Sequence, residues 1–572
     1  MDGVVRIVYR NPALLGAIRK SGLDQVGQRI RLTGTETRPP RLWMAPNAKW
    51  GRLLARLDTL EPILLAESER QGLPVTASDN NKSPRQLEAE ARIHRIIGNV
   101  ELANAQDKLW LLATTIAARY PAPETFQKLN RAARFGSNDE LGKLLLALLD
   151  SPDTAGRLDL EMQVITDPIV EADSTGKLAV HTGIHRVARE VVNRWITDHN
   201  VTVAMWDKFR PALLTPTTAE TDRIVSGNIP KSAIARLSEK LDKKPKLLVP
   251  WHTIVVLLDA PKATAGLALS ALAQYSGSDL TAIGYDLIPI VSAELRPGPD
   301  TGAALAQLVP LKRAKKIAAI SHSAAREFQG FSSMLAAQGL PGPDVVAVPL
   351  PNDVGPTKAV ANTSKNVENG RPIVLLTGSR EPHKNHRTLL HAAESLWDEG
   401  LEFEVRLAGG SGWRDDALDT IERLHAAGNS ISDLGRVTEE ALAAELVAAD
   451  VVAFASLHEG FGLPVAEALT AGTPVLTTDY GSQAEIAADG GVLVVDPRDD
   501  EAIISALRRL ITEPALRAEL RAQALARVGA RQVRGPRRGK TPARRARRLR
   551  FAWPRMFCTY PRKQAPLSPI AP

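Results

Sequence analysis

The chain holds one cysteine in 572 residues, Cys558, close to its C-terminal end. The body before it has no thiol, so it can build neither a disulfide nor a cysteine-ligated zinc site, which fits a reducing compartment. No apolar run reaches the ~18 residues that span a bilayer; Leu247 to Leu258 is among the longest and contains His252. Met1-Asp2-Gly3 lacks the basic and apolar regions of a secretory signal. These absences predict a cytoplasmic location without a membrane-spanning segment. Several catalytic motifs are missing too: there is no His-Glu-x-x-His helix, no Walker loop and no Gly-x-Ser-x-Gly elbow. Ala408-Gly409-Gly410-Ser411-Gly412 is glycine-rich but lacks the spacing and the later acid of a dinucleotide fingerprint. His181 and His185 could share a helix face, yet no acid is placed to complete a ligand set. Neither a metal nor a cofactor is expected.

Acid is absent from one long stretch. Val528 to Pro572 contains eleven Arg, two Lys and no Asp or Glu. Removing those thirteen positive charges from the formal +8 leaves −5 on the body, so the pI of 9.4 reports the tail alone. A nucleic-acid footprint should cover a folded face, and a mildly acidic body predicts no such partner. Two readings of the tail stand. One is a basic arm for an anionic surface, worth ~1 kcal/mol per Lys or Arg near a charged bilayer, which would bring peripheral association with the inner membrane face. The other is a disordered extension left by a reading-frame shift. The abrupt change in composition favours the second.

What is present is ample for packed domains. Hydrophobic residues make up 44% of the chain, and at ~150 residues per domain the length predicts three or four domains. Residues 1–157 read as a helical accessory region: Ile93, Ile96, Ile97 and Val100 keep helical spacing, as do Leu141, Leu144, Leu145, Leu148 and Leu149. From 158 to 351 short strands alternate with helices. The helix candidate there is Ile184 to Ile196; the strand candidates are Val201 to Met205, Leu247 to Val249, Leu287 to Val291, Ile317 to Ile320 and Val345 to Val348. A polar linker fills 352–371. A cleaner alternation then runs from 372 to 527, and 528–572 is the basic tail. Strands alternating with helices predict doubly wound parallel sheets. Two such domains leave a cleft, and ligands of open parallel sheets bind beyond the carboxyl ends of the strands.

Two segments place chemistry on that cleft. In Ser456-Leu457-His458-Glu459-Gly460-Phe461-Gly462-Leu463-Pro464-Val465-Ala466-Glu467, a strand enters a glycine-rich turn and Pro464 marks the first turn of a helix. The amides near Gly462 and Leu463 then point out of a helix start, where an anion is favoured. Glu467 lies beside that start, able to accept from ribose hydroxyls, and Glu459 faces the cleft from the other side. The second segment is Thr377-Gly378-Ser379-Arg380-Glu381-Pro382-His383-Lys384-Asn385. Lys384 offers a point charge and Arg380 a fork of donors, both suited to a diphosphate.

Glu459-x7-Glu467 enclosing Gly-Phe-Gly-Leu-Pro resembles the signature of retaining glycosyltransferases of family 4, which have the GT-B fold. Gly378 to Asn385 is similar to that family's donor-phosphate loop, with His383 where Arg is common. Ala471-Gly472-Thr473-Pro474-Val475 and Gly481-Ser482-x-x-Glu485 follow its pattern. In the first half, Thr182-Gly183-Ile184-His185-Arg186-Val187 resembles the family's phosphate-approaching glycine loop. Gly284-Tyr285-Asp286-Leu287-Ile288-Pro289 resembles a strand-end stretch in which His is frequent where Tyr285 stands, and Ser321-His322-Ser323 a small polar turn. The resemblance implies an α/β GT-B fold with two Rossmann-like domains, and a retaining transfer from a nucleotide-diphosphate sugar. The acceptor would be a glycan or lipid-linked saccharide, the setting polysaccharide or lipopolysaccharide assembly, and the donor GDP-mannose. Glu459, Lys384 and Asp286 become the candidate catalytic residues. Gly183, Arg380, Lys384, Gly462, Leu463 and Glu467 become the candidate donor-binding residues. The alternative is a non-catalytic scaffold that binds a nucleotide sugar or a polysaccharide.

Overall fold

The computed structural model describes residues 46–70, 82–149, 160–178, 182–207, 210–225, 245–261, 263–296, 298–351, 370–412, 414–415 and 417–532. His181, nearly all of the expected linker, and the tail beyond Gln532 with Cys558 lie outside the described residues. None of the described helices is long and apolar enough to cross a membrane.

The chain forms two compact units. The first takes in Met1–Arg119, Lys128–Met162 and Asp207–Ala212; the second takes in Tyr120–Gln127, Gln163–Trp206 and Leu213–Pro572. The first unit is helical where described. Helices Pro46–Leu64, Pro84–Asn99 and Gln106–Ala117 pack through Leu53, Leu57, Leu60, Ile93, Ile96 and Leu109, all fully buried. Arg56 is buried with them because its Nε and Nη2 donate to the carbonyls of Thr115 (2.7 Å) and Ile116 (3.3 Å). Those carbonyls end a helix and have no intrahelical partner of their own. Arg92 grips Glu61 with two 2.8 Å bonds and Arg95 adds a third at 2.9 Å, which ties the first two helices by charge.

The second unit contains two sheets. The first sheet is built from β1 (Met162–Ile165), β2 (Ile169–Glu171), β3 (Thr202–Trp206), β4 (Leu213–Leu214), β5 (Leu247–Pro250), β6 (Ile254–Leu257), β7 (Asp279–Gly284), β8 (Lys316–Ala319) and β9 (Asp344–Ala347). Their order is β1-β5-β4-β3-β2-β6-β7-β8-β9. From β3 through β9 the neighbours are parallel, whereas β3–β4 and β4–β5 are antiparallel, so this sheet is mixed where a parallel one was expected. One strand reading changes. Leu287 to Val291 is not a strand: Ile288–Val291 is a short helix, with Pro289 in its first turn, and the strand is the preceding β7. The candidate Leu247 to Val249 is β5, and the apolar run that continues to Leu258 holds a second strand, β6, after a turn at His252, whose φ is +46°.

The second sheet holds β10 (Ile373–Thr377), β11 (Glu404–Ala408), β12 (Ile431–Gly435), β13 (Val451–Phe454), β14 (Val475–Thr478) and β15 (Val492–Val495). All neighbours are parallel, in the order β12-β11-β10-β13-β14-β15. Numbered within the domain, this is the 3-2-1-4-5-6 winding of a Rossmann sheet, whose order reverses between β10 and β13. Strands covered on both faces read as continuous apolar runs, and all four residues of β13, Val-Val-Ala-Phe, are buried. Two Rossmann-like sheets with a separate helical region are the α/β GT-B architecture expected. The last helix, Pro514–Gln532, runs past the boundary drawn at 527.

Candidate active site

The reversal between β10 and β13 brings the two sequence segments together. After β10 the chain makes a single 3-10 turn, Pro382–Lys384, and Asn385 comes next, in the left-handed region at φ +59°. The Asn385 amide holds that conformation by donating to the carbonyls of Ala455 (3.2 Å) and Pro497 (2.9 Å). The loop after β13 is stitched to this turn by the Leu457 amide, which donates to the His383 carbonyl at 2.8 Å. Lys384 is thereby aimed at Glu459: Nζ stands 2.5 Å from Oε1, with 5.5 Å to the centroid of the Phe454 ring. Both charged side chains are largely shielded, at 16% and 10% exposure.

Four residues beyond Glu459 the helix Leu463–Thr470 begins, capped by Gly462 at φ +100°. The amides of Val465 and Ala466 turn back to the Gly462 carbonyl at 3.0 and 3.3 Å, and Pro464 has no amide hydrogen. Among the described residues, the Leu463 amide has no hydrogen-bond partner at this helix start. Gly183 approaches the Leu463 side chain from the first sheet's domain, so closely that a Cβ there would lie 2.8 Å from Leu463 Cδ1. One turn into the helix, Glu467 is buried and its Oε1 meets Arg186 Nη1 at 2.5 Å. Burial pushes the Glu467 carboxyl above its ordinary range, although Arg186 pulls the other way.

The first sheet's domain closes on the same loop. Gly460 lies against the turn after β7: an added Cβ would stand 2.4 Å from the Tyr285 carbonyl oxygen and 3.2 Å from Asp286 Cβ. Asp286 thus lies next to the residue immediately after Glu459. Burial raises its pKa, and the neighbouring Glu327 and Glu459 carboxylates act in the same direction. Ser321 donates to the Gly460 carbonyl at 2.7 Å. His458 hydrogen-bonds Glu327 through Nε2 (2.7 Å) and Ser292 through Nδ1 (2.8 Å). Burial pulls the His458 imidazole down, but the Glu327 bond and charge, with Asp286 and Glu459, leave it raised. Glu485, on helix Gly481–Ala487, accepts from the amides of His322 (2.9 Å) and Ser323 (2.6 Å) at the start of helix His322–Ala336.

Arg380 behaves differently from its sequence reading, and the structure also places His383 and Tyr285, the two departures from the family pattern. Arg380 was expected to offer its fork to a diphosphate, but it is buried and its guanidinium is engaged within the domain. Nε reaches Asp415 (2.7 Å), Nη1 reaches Asp433 (2.9 Å) and the Gly409 carbonyl (3.2 Å), and Nη2 reaches Ser411 (3.2 Å). A desolvated guanidinium needs such partners, and the loops after β11 and β12 supply them. His383, standing where the resemblance has Arg, is buried, and burial with the adjacent Lys384 charge pushes it down to about 2. It is therefore neutral at physiological pH. Of the side chains at 380, 383 and 384, it is Lys384 that brings a positive charge to this rim. Tyr285 gives its hydroxyl to the Leu258 carbonyl at 2.7 Å inside the first sheet's domain.

Motif reading leaves out Arg186, Glu327, Ser292 and His458 as site-forming groups. Arg186 and His458 lie inside quoted motifs, so their place is visible in the sequence, but their partners are 281 and 131 residues away in the chain. Among the described residues no group of three or more His, Cys, Asp or Glu could hold a metal ion.

Known proteins match part of the chain. The chain is 35% identical over 153 residues to O-antigen chain mannosyltransferase B of Escherichia coli, a match covering 27% of this chain and 40% of that protein. It is 34% identical over 172 residues to D-inositol 3-phosphate glycosyltransferase of Rhodococcus erythropolis, covering 29% of this chain and 39% of that one. The chain thus spans about two fifths of these relatives. Among solved structures, sucrose-phosphate synthase from Thermosynechococcus elongatus aligns with 64% of this chain and 94% of its own, at 17% identity and a TM-score of 0.45. Residues 360–527, which contain the Lys384, Glu459, Leu463 and Glu467 cluster, match the family of glycosyl transferases group 1.

Proposed function

We propose that this protein is a retaining glycosyltransferase that moves a sugar, mannose from GDP-mannose by our reading, onto a glycan or lipid-linked acceptor in polysaccharide assembly. The observation that carries the proposal is the Lys384 ammonium, held at the strand-order reversal by Glu459, whose own loop runs into the helix that starts at Leu463. An electropositive group and a main-chain donor fixed on one rim suit a diphosphate leaving group.

In the reaction so read, the bond between the anomeric carbon and the diphosphate oxygen breaks while the acceptor oxygen bonds to that carbon on the same face. The acceptor proton passes to the departing phosphate, whose developing charge Lys384 and the Leu463 amide stabilise. Glu459 fixes the ammonium, and Glu467 accepts from the ribose hydroxyls. Gly183 lets main chain approach the donor, and Asp286 faces the sugar from the first sheet's domain. Arg380 acts at one remove, by bracing the loop that carries Lys384. The similarity to a mannosyltransferase of O-antigen chains supports the choice of sugar and setting.

The test is a panel of GDP-, UDP- and ADP-sugars incubated with the full chain and saccharide acceptors, with the anomeric configuration of any product read by NMR. Transfer with the donor's configuration kept is expected, with GDP-mannose the best donor. Saturable nucleotide binding without hydrolysis or transfer from any donor would replace the enzyme by a binding scaffold, and an inverted product would remove the retaining step.

A further inference from the structure

Arg186 occupies an awkward position for an arginine. It lies in the first turn of helix Gly183–Asp198, where the helix dipole disfavours a cation. The helix start itself is firmly held: the Thr182 hydroxyl accepts from the His185 amide (3.5 Å), and the His185 ring lies 3.0 Å from the Ser174 hydroxyl through Nε2. Arg186 hangs from this fixed start by a long, flexible side chain that is 36% exposed, against 11% for the Glu467 carboxylate it touches. Among the described residues, Nη1 is the guanidinium atom that has a hydrogen-bond partner. A fork able to make two parallel bonds is therefore used at one point. Leu463 and Glu467 are four residues apart on one helix, so their faces lie about 6 Å from each other. A guanidinium resting on Glu467 is within a side-chain swing of any anion seated on the Leu463 amide.

We propose that Arg186 serves two partners in turn: the Glu467 carboxylate, as in the structure, and the diphosphate of a bound nucleotide sugar, so that phosphate binding releases Glu467 to the ribose hydroxyls. The inference rests on the glycosyltransferase reading and deepens it. Arg186 becomes a phosphate-sensing residue supplied by the opposite domain, and the nucleotide's two ends are recognised in a linked way. A diphosphate frees the carboxylate that the sugar ring of the nucleoside needs, whereas a nucleoside alone must compete with Arg186 for it.

The experiment is calorimetric titration of the full chain with GDP, UDP, ADP and CDP, carrying forward the tightest, for wild type, Arg186→Ala, Arg186→Lys, Glu467→Gln and the double variant Arg186→Ala/Glu467→Gln. Loss of a charge-assisted phosphate contact should weaken binding about ten- to a hundredfold in Arg186→Ala, with partial recovery in Arg186→Lys. The double variant should bind more weakly than Glu467→Gln by a similar factor, because the phosphate contact does not pass through Glu467. A double variant that binds as Glu467→Gln does would reduce Arg186 to a residue that orients Glu467, and an unchanged Arg186→Ala would make it a bystander; either overturns the inference alone. If the wild type binds none of the four diphosphates, the glycosyltransferase reading falls and the inference with it.

Discussion

Both sheets of the second unit reverse their strand order, yet the two reversals have been put to different uses. In the first sheet it falls between β2 and β6. The short helix Asp173–Lys177 comes directly after β2 and narrows that crevice to a small cavity lined by Glu171, Asp173, Ser174, Trp206 and Asp259: Thr175 donates to Asp259 through its amide (2.9 Å) and its hydroxyl (2.7 Å), and Asp173 accepts from the Trp206 amide at 3.0 Å. Asp173, Thr175 and Asp259 are all buried. In the second sheet the corresponding crevice is bordered by the Lys384 turn and the Glu459 loop, whose charged ends keep some exposure. Winding creates a crevice wherever the order reverses; whether it becomes a site depends on the segments that leave the strand ends. A helix that returns its polar groups to the crevice narrows it and uses them up in the fold, and a loop that presents an ammonium beside a helix start leaves it chemical.

That contrast can be attacked from both sides. The largest effect is expected for Lys384→Ala, which removes the positive charge from the second crevice: transfer should fall by about 10²–10³-fold, with the melting temperature little changed. An unaffected rate would take the chemistry away from this rim. Asp259→Ala should do the reverse. It strands two buried donors of Thr175, costing roughly 1–3 kcal/mol, visible as a lower urea midpoint while nucleotide affinity is kept. A large loss of affinity with unchanged stability would show that the first crevice also binds ligand.

The smallest effect concerns the joint between the two domains. His458 has a folded pKa raised above its ordinary 6.5, so its pairing with Glu327 stabilises fully below that value. The contribution is lost as the pH rises through the folded pKa. Melting temperature measured from pH 5 to 9 should therefore drop by no more than a few degrees on this account. The drop should vanish in His458→Gln. An identical pH profile for the variant would remove His458 from the joint.

Legibility tracks the apolar character of the strands. β13 and β14 are readable because a strand covered on both faces needs a continuous apolar run with turn residues around it, and Val451 and Val475 each open such a run; β15, a partly exposed edge strand, is readable because Val492-Leu493-Val494-Val495 is apolar throughout and mostly β-branched. β12 escapes a reading of the sequence because it lies at the sheet edge: Ile-Ser-Asp-Leu-Gly exposes two of its five residues and reads as loop. β6 is lost inside a longer apolar run, and Ile288–Val291 reads as a strand, because a short hydrophobic stretch has no period to separate helix from strand. In the site, Lys384, Glu459 and Leu463 are legible from local grammar, since strand, glycine turn, proline and helix lie within one stretch of chain.

By itself, then, the sequence determined where β10 and β13 end, that a helix starts next to Pro464, and that a lysine and two glutamates flank that start, because each of these depends on neighbours a few residues away. Only the tertiary structure decided which charges are available. Arg380 and Lys384 are four apart and look equivalent in one dimension, yet one is neutralised by Asp415 and Asp433 and the other meets Glu459 at the rim. The joining of Arg186 to Glu467, His458 to Glu327 and Glu485 to the helix start at His322 was decided at the same level. Coulomb energy depends on distance in space, and that distance is set by how the two sheets pack together rather than by spacing along the chain.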